Sequence, residues 1–311
     1  VQDDADAATA SRPEPPDRTA TARGLVSAMR PRQWVKSLIV GIAPAASGEA
    51  LHAHVLAHTA LAFVAFCATS SATYLLNDVR DREADLQHPG KRWRPIATGV
   101  VPVDLALVAM AVLGCVGLAI GFATSWPLGV VLVLYLAESI AYSMGAKRIS
   151  VIELGLITSG FVLRGVAGGV ASGLPLSSWF LMVITFGALF VVVGKRLAEY
   201  HHLGEGAGAH RPVLATYTRS FLEAALTLSA AVTVTGYCLW GFAVDRNGLG
   251  HQHHQFWIQL SVAPVALAVL YVLLQLDAGR GGTPEDLVLR DRTVQALGLV
   301  WAVLVAVGIY A

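Results

Sequence analysis

The residues best placed to do chemistry are Asn77-Asp78-Val79-Arg80-Asp81-Arg82-Glu83-Ala84-Asp85, with Lys91, Arg92 and Arg94 following in the same turn-rich segment. On a helix, Asn77, Asp81 and Asp85 recur at i, i+4 and i+8, a stripe roughly 12 Å long with Asp78 about 100° round at its edge. Oxygen ligands in that array suit Mg²⁺, which takes one or two carboxylates and completes its octahedron with water and substrate phosphate. Asn77, Asp78, Asp81 and Asp85 are therefore the candidate metal ligands, with Mn²⁺ as a substitute ion. Clustered carboxylates repel one another, so a cation among them removes a cost as well as creating a site. Alone, the same residues also describe a solvated helix end with i, i+4 pairs. Their surroundings weigh against that.

The chain has 311 residues, 55% of them hydrophobic and 14% charged, and a mean hydropathy of +0.60. A soluble domain of this size is far less apolar. The apolar runs are long enough to cross a bilayer as helices, and nine are expected, at about 36–49, 54–76, 102–123, 127–146, 150–171, 176–197, 221–243, 256–276 and 293–311. The first is short and contains Pro44. Turn chemistry separates the rest: Ser125-Trp126-Pro127, Ser172-Gly173-Leu174-Pro175, Asp245-Arg246-Asn247-Gly248 and Gly279-Arg280-Gly281-Gly282. Residues 1–22 are polar and rich in Pro and Ala. They read as a disordered tail rather than a signal peptide, ahead of a single nine-helix domain over 23–311. Cys67, Cys115 and Cys238 lie in apolar runs and read as small packing residues, not metal or redox ligands.

Orientation follows from the cations. With nine spans, 20 of the 22 Lys and Arg fall on one side, the exceptions being Arg246 and the intramembrane Arg164. The positive-inside rule makes that side cytoplasmic, in a multi-pass protein of the cell (plasma) membrane with its C-terminus outside. The acidic stripe meets Tyr142, Lys147 and Arg148 there, at the end of the fourth span, and Lys195, Arg196 and Glu199 at the end of the sixth. Pro284-Glu285-Asp286 and Arg290-Asp291-Arg292 lie between the last two. Cations and Mg²⁺ on one face are what a diphosphate leaving group requires. Lys147-Arg148 and Lys195-Arg196 also suit simple anchoring at the interface. Arg164 needs an anion or a polar cavity, and faces either substrate or a structural partner, Glu138 or Glu153. His251, His253 and His254 read as solvated in an outer loop, and His201-His202 as flanking the site.

Nine helices with NDxxDxxxD after the second resemble the UbiA superfamily of intramembrane prenyltransferases. The stretches RPRQWVKSLIV (30–40), YLLNDVRDREADLQHPGKRWRPIA (74–97), SGFVLRGVAGGVASGLPLSSWF (159–180), GKRLAEY (194–200) and PEDLVLRDR (284–292) are most similar to its actinobacterial phosphoribosyl-transferring branch. The resemblance implies an all-α fold of nine transmembrane helices around a central cavity open to the cytoplasm. It also implies transfer of 5-phosphoribosyl from phosphoribosyl diphosphate to decaprenyl (polyprenyl) phosphate, a precursor step for cell-wall arabinan. Asp78, Asp81 and Asp85 are then the expected catalytic residues. Lys36, Asn77, Lys91, Arg92, Arg94, Tyr142, Lys147, Arg148, Arg164, Lys195, Arg196 and Glu199 are the expected substrate-binding residues. One departure bears on the donor. Superfamily members carry a second Asp-rich motif after the sixth span, whereas this chain has Lys195, Arg196 and a lone Glu199 there. That weighs against the main alternative, prenyl transfer to an aromatic acceptor. A transporter would more naturally place its charges near the bilayer midplane. Expected partners are the two phosphorylated substrates and membrane lipids, without nucleic acid; a homo-oligomer is compatible with the sequence.

Overall fold

Helices account for every regular element in the computed structural model, which describes residues 18–203, 212–243, 252–279 and 284–310. They are α1 (Arg18–Ala28), a 3₁₀ segment (Pro31–Gly41), α2 (Ile42–Ala46), α3 (Ala53–Arg80), α4 (Arg82–Gln87), α5 (Val103–Thr124), α6 (Trp126–Met144) and α7 (Ile152–Ala171). Then follow α8 (Ser178–Leu203), α9 (Arg219–Ala243), α10 (Gln252–Leu260), α11 (Val262–Asp277), α12 (Pro284–Arg290) and α13 (Arg292–Tyr310). Helix α1 begins inside the stretch whose composition reads as tail; residues 1–17, Arg246 and His251 lie outside the described residues.

Eight of these segments are long and apolar enough to cross a membrane, α10 and α11 together making one across a break at Ser261. The expected first span differs. It is the 3₁₀ segment followed by five residues of α-helix, so the described residues hold eight long spans and this short traverse. At about 2.0 Å per 3₁₀ residue and 1.5 Å per α-helical residue, the two pieces still rise roughly 30 Å. Their ends bear this out: the Arg30 side chain meets Asp78 at one end of the bundle, and the Tyr310 hydroxyl donates to the Ala45 carbonyl at the other. Proline at positions 31 and 44 removes two backbone donors from the segment, and close packing on α7 holds it.

That packing depends on small residues, as expected where helices approach closely within a bilayer. A Cβ at Gly117 of α5 would come 2.6 Å from Thr69 Cγ2 and 3.0 Å from the Ala65 carbonyl of α3. A Cβ at Gly168 of α7 would fall on the Val40 carbonyl oxygen and 3.0 Å from Pro44 Cδ. Gly168→Ala should therefore displace the first traverse and lower stability by about 1–3 kcal/mol, read as a lower melting temperature in detergent. An unchanged melting temperature would mean that the segment is not seated on α7 as described.

The described interior falls into three apolar clusters, one of which, with Ala28, Leu75, Ile96, Val101 and Ala106, lies under α1. Phe66, Leu128, Leu132, Tyr135 and Ala167 join α3, α6 and α7; Leu154, Leu197, Leu222, Leu226 and Leu276 join α7, α8, α9 and α11. Side chains such as Leu270, Leu274, Leu299 and Val303 are exposed on the outer faces, as lipid-facing residues are. Cys67 is buried, whereas Cys115 lies exposed on α5. This is a multi-pass membrane protein. Sequence breaks become caps: Ser125 Oγ accepts from Leu128 N at 3.2 Å to start α6. Asp291 accepts from Thr293 N and Val294 N at 2.8 and 3.1 Å to start α13. Those backbone donors hold the Asp291 carboxyl below the usual carboxylate range.

Candidate active site

The acidic stripe survives a break in its helix. α3 ends at Arg80 and α4 starts at Arg82, yet Asp81 N still donates to Asn77 O at 2.9 Å and Asp85 N to Asp81 O at 2.8 Å. The pairing within the stripe differs from the expected one. Asp78, expected at the edge, is buried together with Asp85, whereas Asn77 and Asp81 are only half-buried. Residues seven apart lie about 20° from each other round a helix, closer than residues four apart.

Cations from three different segments close on these acids. Arg94 Nη1 donates to Asp78 Oδ1 at 2.9 Å and to Asp85 Oδ2 at 2.7 Å. Arg30 Nη2 donates to the same Asp78 oxygen at 2.6 Å. Lys147 Nζ reaches both oxygens of Asp81 at 2.7 Å. Ser143 Oγ lies 3.5 Å from Asn77 Oδ1. Arg94 is delivered by the turn-rich 88–101 segment, which is pinned under α1 by buried Ile96 and Val101. Lys147 rides on a short connection between Gly145, at φ 139°, and Val151, at φ 67°. A β-branched residue at positive φ is strained and needs outside support. The Tyr217 hydroxyl supplies some of it, accepting from Val151 N at 2.9 Å.

The donor set fits a divalent cation. A single nitrogen bonds Asp78 and Asp85 together, so an oxygen from each already lies within a cation's reach of one point. Among the described residues no three acid, His or Cys side chains gather into a metal cage. Mg²⁺ does not need one, since one or two carboxylates plus phosphate oxygens suffice.

A second polar group lies beside the first. Arg196, expected to meet substrate, is 3% exposed and bonded to Glu153, which is fully buried; its Nε lies 3.1 Å from Glu153 Oε1. A very short contact from Nη2 to the same carboxylate and a 2.9 Å bond from Nη1 to Glu199 complete the set. Tyr142 is close enough to act on Arg196 electrostatically. Lys195 is half-buried on α8, one turn from Glu199. Pro284 of α12 packs against Gly194, which sets α12 beside these groups.

Other expected residues are more scattered. Lys36 is half-buried, with Nζ 5.8 Å from the centroid of the Phe161 ring. Lys91 is half-buried on the same turn as Arg94. Arg92 is exposed, its guanidinium 4.8 Å from the Trp93 ring, and Arg148 is exposed as well. Arg164 is buried away from the acids. Its Nη1 donates to Gly160 O at 2.7 Å and Nη2 to Tyr135 Oη at 2.8 Å, and the guanidinium lies 5.5 Å from the Phe66 ring. Phe66 is roughly 18 Å along α3 from Asp78 at about 1.5 Å per residue. The nearby carboxylate is Glu138, which accepts from Ser159 and lies against Gly160. Of its two expected structural partners Arg164 thus neighbours Glu138, while Glu153 belongs to Arg196.

Arg30 is a site residue that sequence reasoning misses, because RPRQWVK reads as a headgroup patch. The pairing spans 48 residues of sequence and leaves no local signal. The one hint is the Arg30-Pro31 dipeptide, since the residue before proline is pushed out of the right-handed helical region.

Comparison with known proteins places this architecture. Residues 37–290 match the model of the UbiA prenyltransferase family. The chain is 44% identical over 282 residues to a decaprenyl-phosphate phosphoribosyltransferase of Mycobacterium tuberculosis, covering 89% of this chain and 91% of that one. It is 40% identical over 302 residues to the protein of that name from Corynebacterium glutamicum, covering 96% and 89%. Among solved structures it superposes on a UbiA homolog from Archaeoglobus fulgidus bound to DMAPP and Mg²⁺, with TM-score 0.68, 17% identity and coverage of 92% and 97%. With its family model covering most of the sequence and its helices arranged alike, the chain belongs to the UbiA prenyltransferase family.

Proposed function

We propose that this protein transfers 5-phosphoribosyl from phosphoribosyl diphosphate to decaprenyl (polyprenyl) phosphate, releasing diphosphate. The relatives named for that activity, at 40 and 44% identity over most of both chains, carry the choice of donor and acceptor. The geometry supports it. Asp78 and Asp85 converge with Arg30 and Arg94, Asp81 with Lys147, and the region of the family's second acidic motif holds a closed Arg196–Glu153–Glu199 group.

In this reading Asp78 and Asp85, with Asn77 and Asp81 beside them, hold a divalent ion, Mg²⁺ or Mn²⁺. When bound, the ion neutralises diphosphate oxygens and lowers the cost of their leaving. Arg30, Arg94 and Lys147 share that charge from fixed positions, and Lys91 and Lys195 face the same end of the bundle. The bond that breaks joins ribose C1 to the diphosphate; the bond that forms joins C1 to an oxygen of the lipid phosphate, on the opposite face. That oxygen is already ionised at neutral pH, so no side chain has to take a proton from it. The apolar faces between helices receive the polyprenyl tail. In the same reading the site faces the cytoplasm and the C-terminus lies outside, in the plasma membrane; the charge asymmetry of the chain supports that orientation.

Purified protein given radiolabelled phosphoribosyl diphosphate, decaprenyl phosphate and Mg²⁺ should move label into the organic phase, and excess EDTA should stop it. Full turnover in EDTA would remove the metal from the mechanism. Product from a prenyl diphosphate and an aromatic acceptor, with none from phosphoribosyl diphosphate, would favour the ordinary chemistry of the family.

A further inference from the structure

Arg30 combines two properties that a mere anchor does not need. Its backbone is left-handed, φ 55° and ψ 60°, a conformation that strains a non-glycine residue. The surroundings enforce it from both sides. Arg30 N donates to Ser27 O at 3.1 Å and Gln33 N to Arg30 O at 2.8 Å. Ser71 Oγ, whose proton is shared between Cys67 O at 2.7 Å and Met29 O at 3.1 Å, accepts from Trp34 Nε1 at 3.0 Å. The effect is to aim a guanidinium, 4.9 Å from the Tyr74 ring centroid, at an Asp78 oxygen that Arg94 also holds. Arg30 nevertheless keeps 29% of its side chain exposed, against 2% for Asp78. It is bonded to the buried acid yet remains partly exposed itself.

The cluster is also balanced. Among the described ion pairs, three carboxylates meet three cations: Asp78 pairs with Arg30 and Arg94, Asp85 shares Arg94, and Asp81 pairs with Lys147. A divalent cation arriving alone meets protein cations already on its ligands, and a diphosphate arriving alone meets carboxylates competing for the same cations. Arriving together, each relieves the other's repulsion.

We propose that Arg30 exchanges partners during loading: it neutralises Asp78 until it yields that carboxylate to the metal, and then turns to the diphosphate, so that metal and diphosphate bind as a coupled pair. This rests on the metal-site reading above. The exchange conserves ion pairs, because the carboxylate–arginine pair that opens is replaced by a carboxylate–metal pair and an arginine–phosphate pair. The planar guanidinium suits the role, since it can bond carboxylate and phosphate oxygens with the same fork. Its place beside the Tyr74 ring and its fixed backbone keep it near both partners.

The exchange predicts effects of opposite sign from one substitution. Binding is measured on the full chain in detergent, with Mn²⁺ followed by its paramagnetic resonance signal and inorganic diphosphate by calorimetry, corrected for the complex the two form in solution. Wild-type protein should bind Mn²⁺ about tenfold or more tighter when diphosphate is saturating. Arg30→Gln should bind Mn²⁺ alone about fivefold tighter, since a competing cation is gone, yet bind diphosphate with Mn²⁺ about tenfold more weakly. Arg30→Lys keeps the charge and should leave the affinity for Mn²⁺ alone near wild type. Loss of both affinities in Arg30→Gln, or change in neither, would overturn the exchange. Should that variant not fold, Asp78→Asn reads the same event from the acid side: diphosphate alone should bind severalfold tighter once the arginines lose their competitor. Unchanged or weaker binding there would overturn it too. Wild-type protein that binds neither probe would instead reject the metal site on which the proposal stands.

Discussion

Asp85→Asn is expected to lower kcat by about 100- to 1,000-fold while leaving a folded, detergent-stable protein. Asp85 is buried, shares Arg94 with Asp78, and lies seven residues on, on nearly the same side of the helical path. Asparagine keeps the shape but removes the charge that would hold a divalent cation. The fold is spared because Arg94 keeps Asp78 as a partner, so no guanidinium is left buried without an anion. Asp81→Asn should also be severe, by releasing Lys147 from its two-oxygen contact. Initial rates with each substrate varied in turn, beside a melting curve, decide the matter. Wild-type rates in both variants would reduce the stripe to a solvated helix end.

The largest effect on stability should come from Glu153→Ala. Glu153 is fully buried and accepts from both Nε and Nη2 of Arg196, itself 3% exposed. Removing one member of a buried pair leaves the other uncompensated, at a cost of about 3–5 kcal/mol. Glu199, at 2.9 Å from Nη1, can offset only part of this. The expected result is a large fall in melting temperature or failure to accumulate in the membrane. Glu153→Leu combined with Arg196→Met should recover much of the loss, since an apolar pair of similar volume avoids the desolvation cost. That double variant also separates two roles for Arg196. Every guanidinium nitrogen is bonded to a carboxylate, so turnover should persist; a folded but inactive double variant would return Arg196 to the substrate.

What the sequence determined is what depends on composition and local pattern. Long apolar runs in a bilayer must become helices, because every backbone polar group needs a partner within its own segment. The eight long spans, their charge asymmetry and the turn signals between them were therefore legible, as was the single acidic stripe at the end of α3. Family resemblance could be read from the same stretches. The first traverse was legible only as an apolar run. Its close seat on α7 depends on Gly168 admitting the Val40 backbone, a contact between distant segments. Tertiary structure alone decided which charges meet. Arg30 joined Asp78, Arg196 took Glu153, and Arg164 settled beside Tyr135 and Glu138, far from the acids. In sequence these cations look alike. A carboxylate in a low-dielectric interior takes whichever cation the helix packing brings within about 3 Å, and that choice is made by backbones lying far apart along the chain.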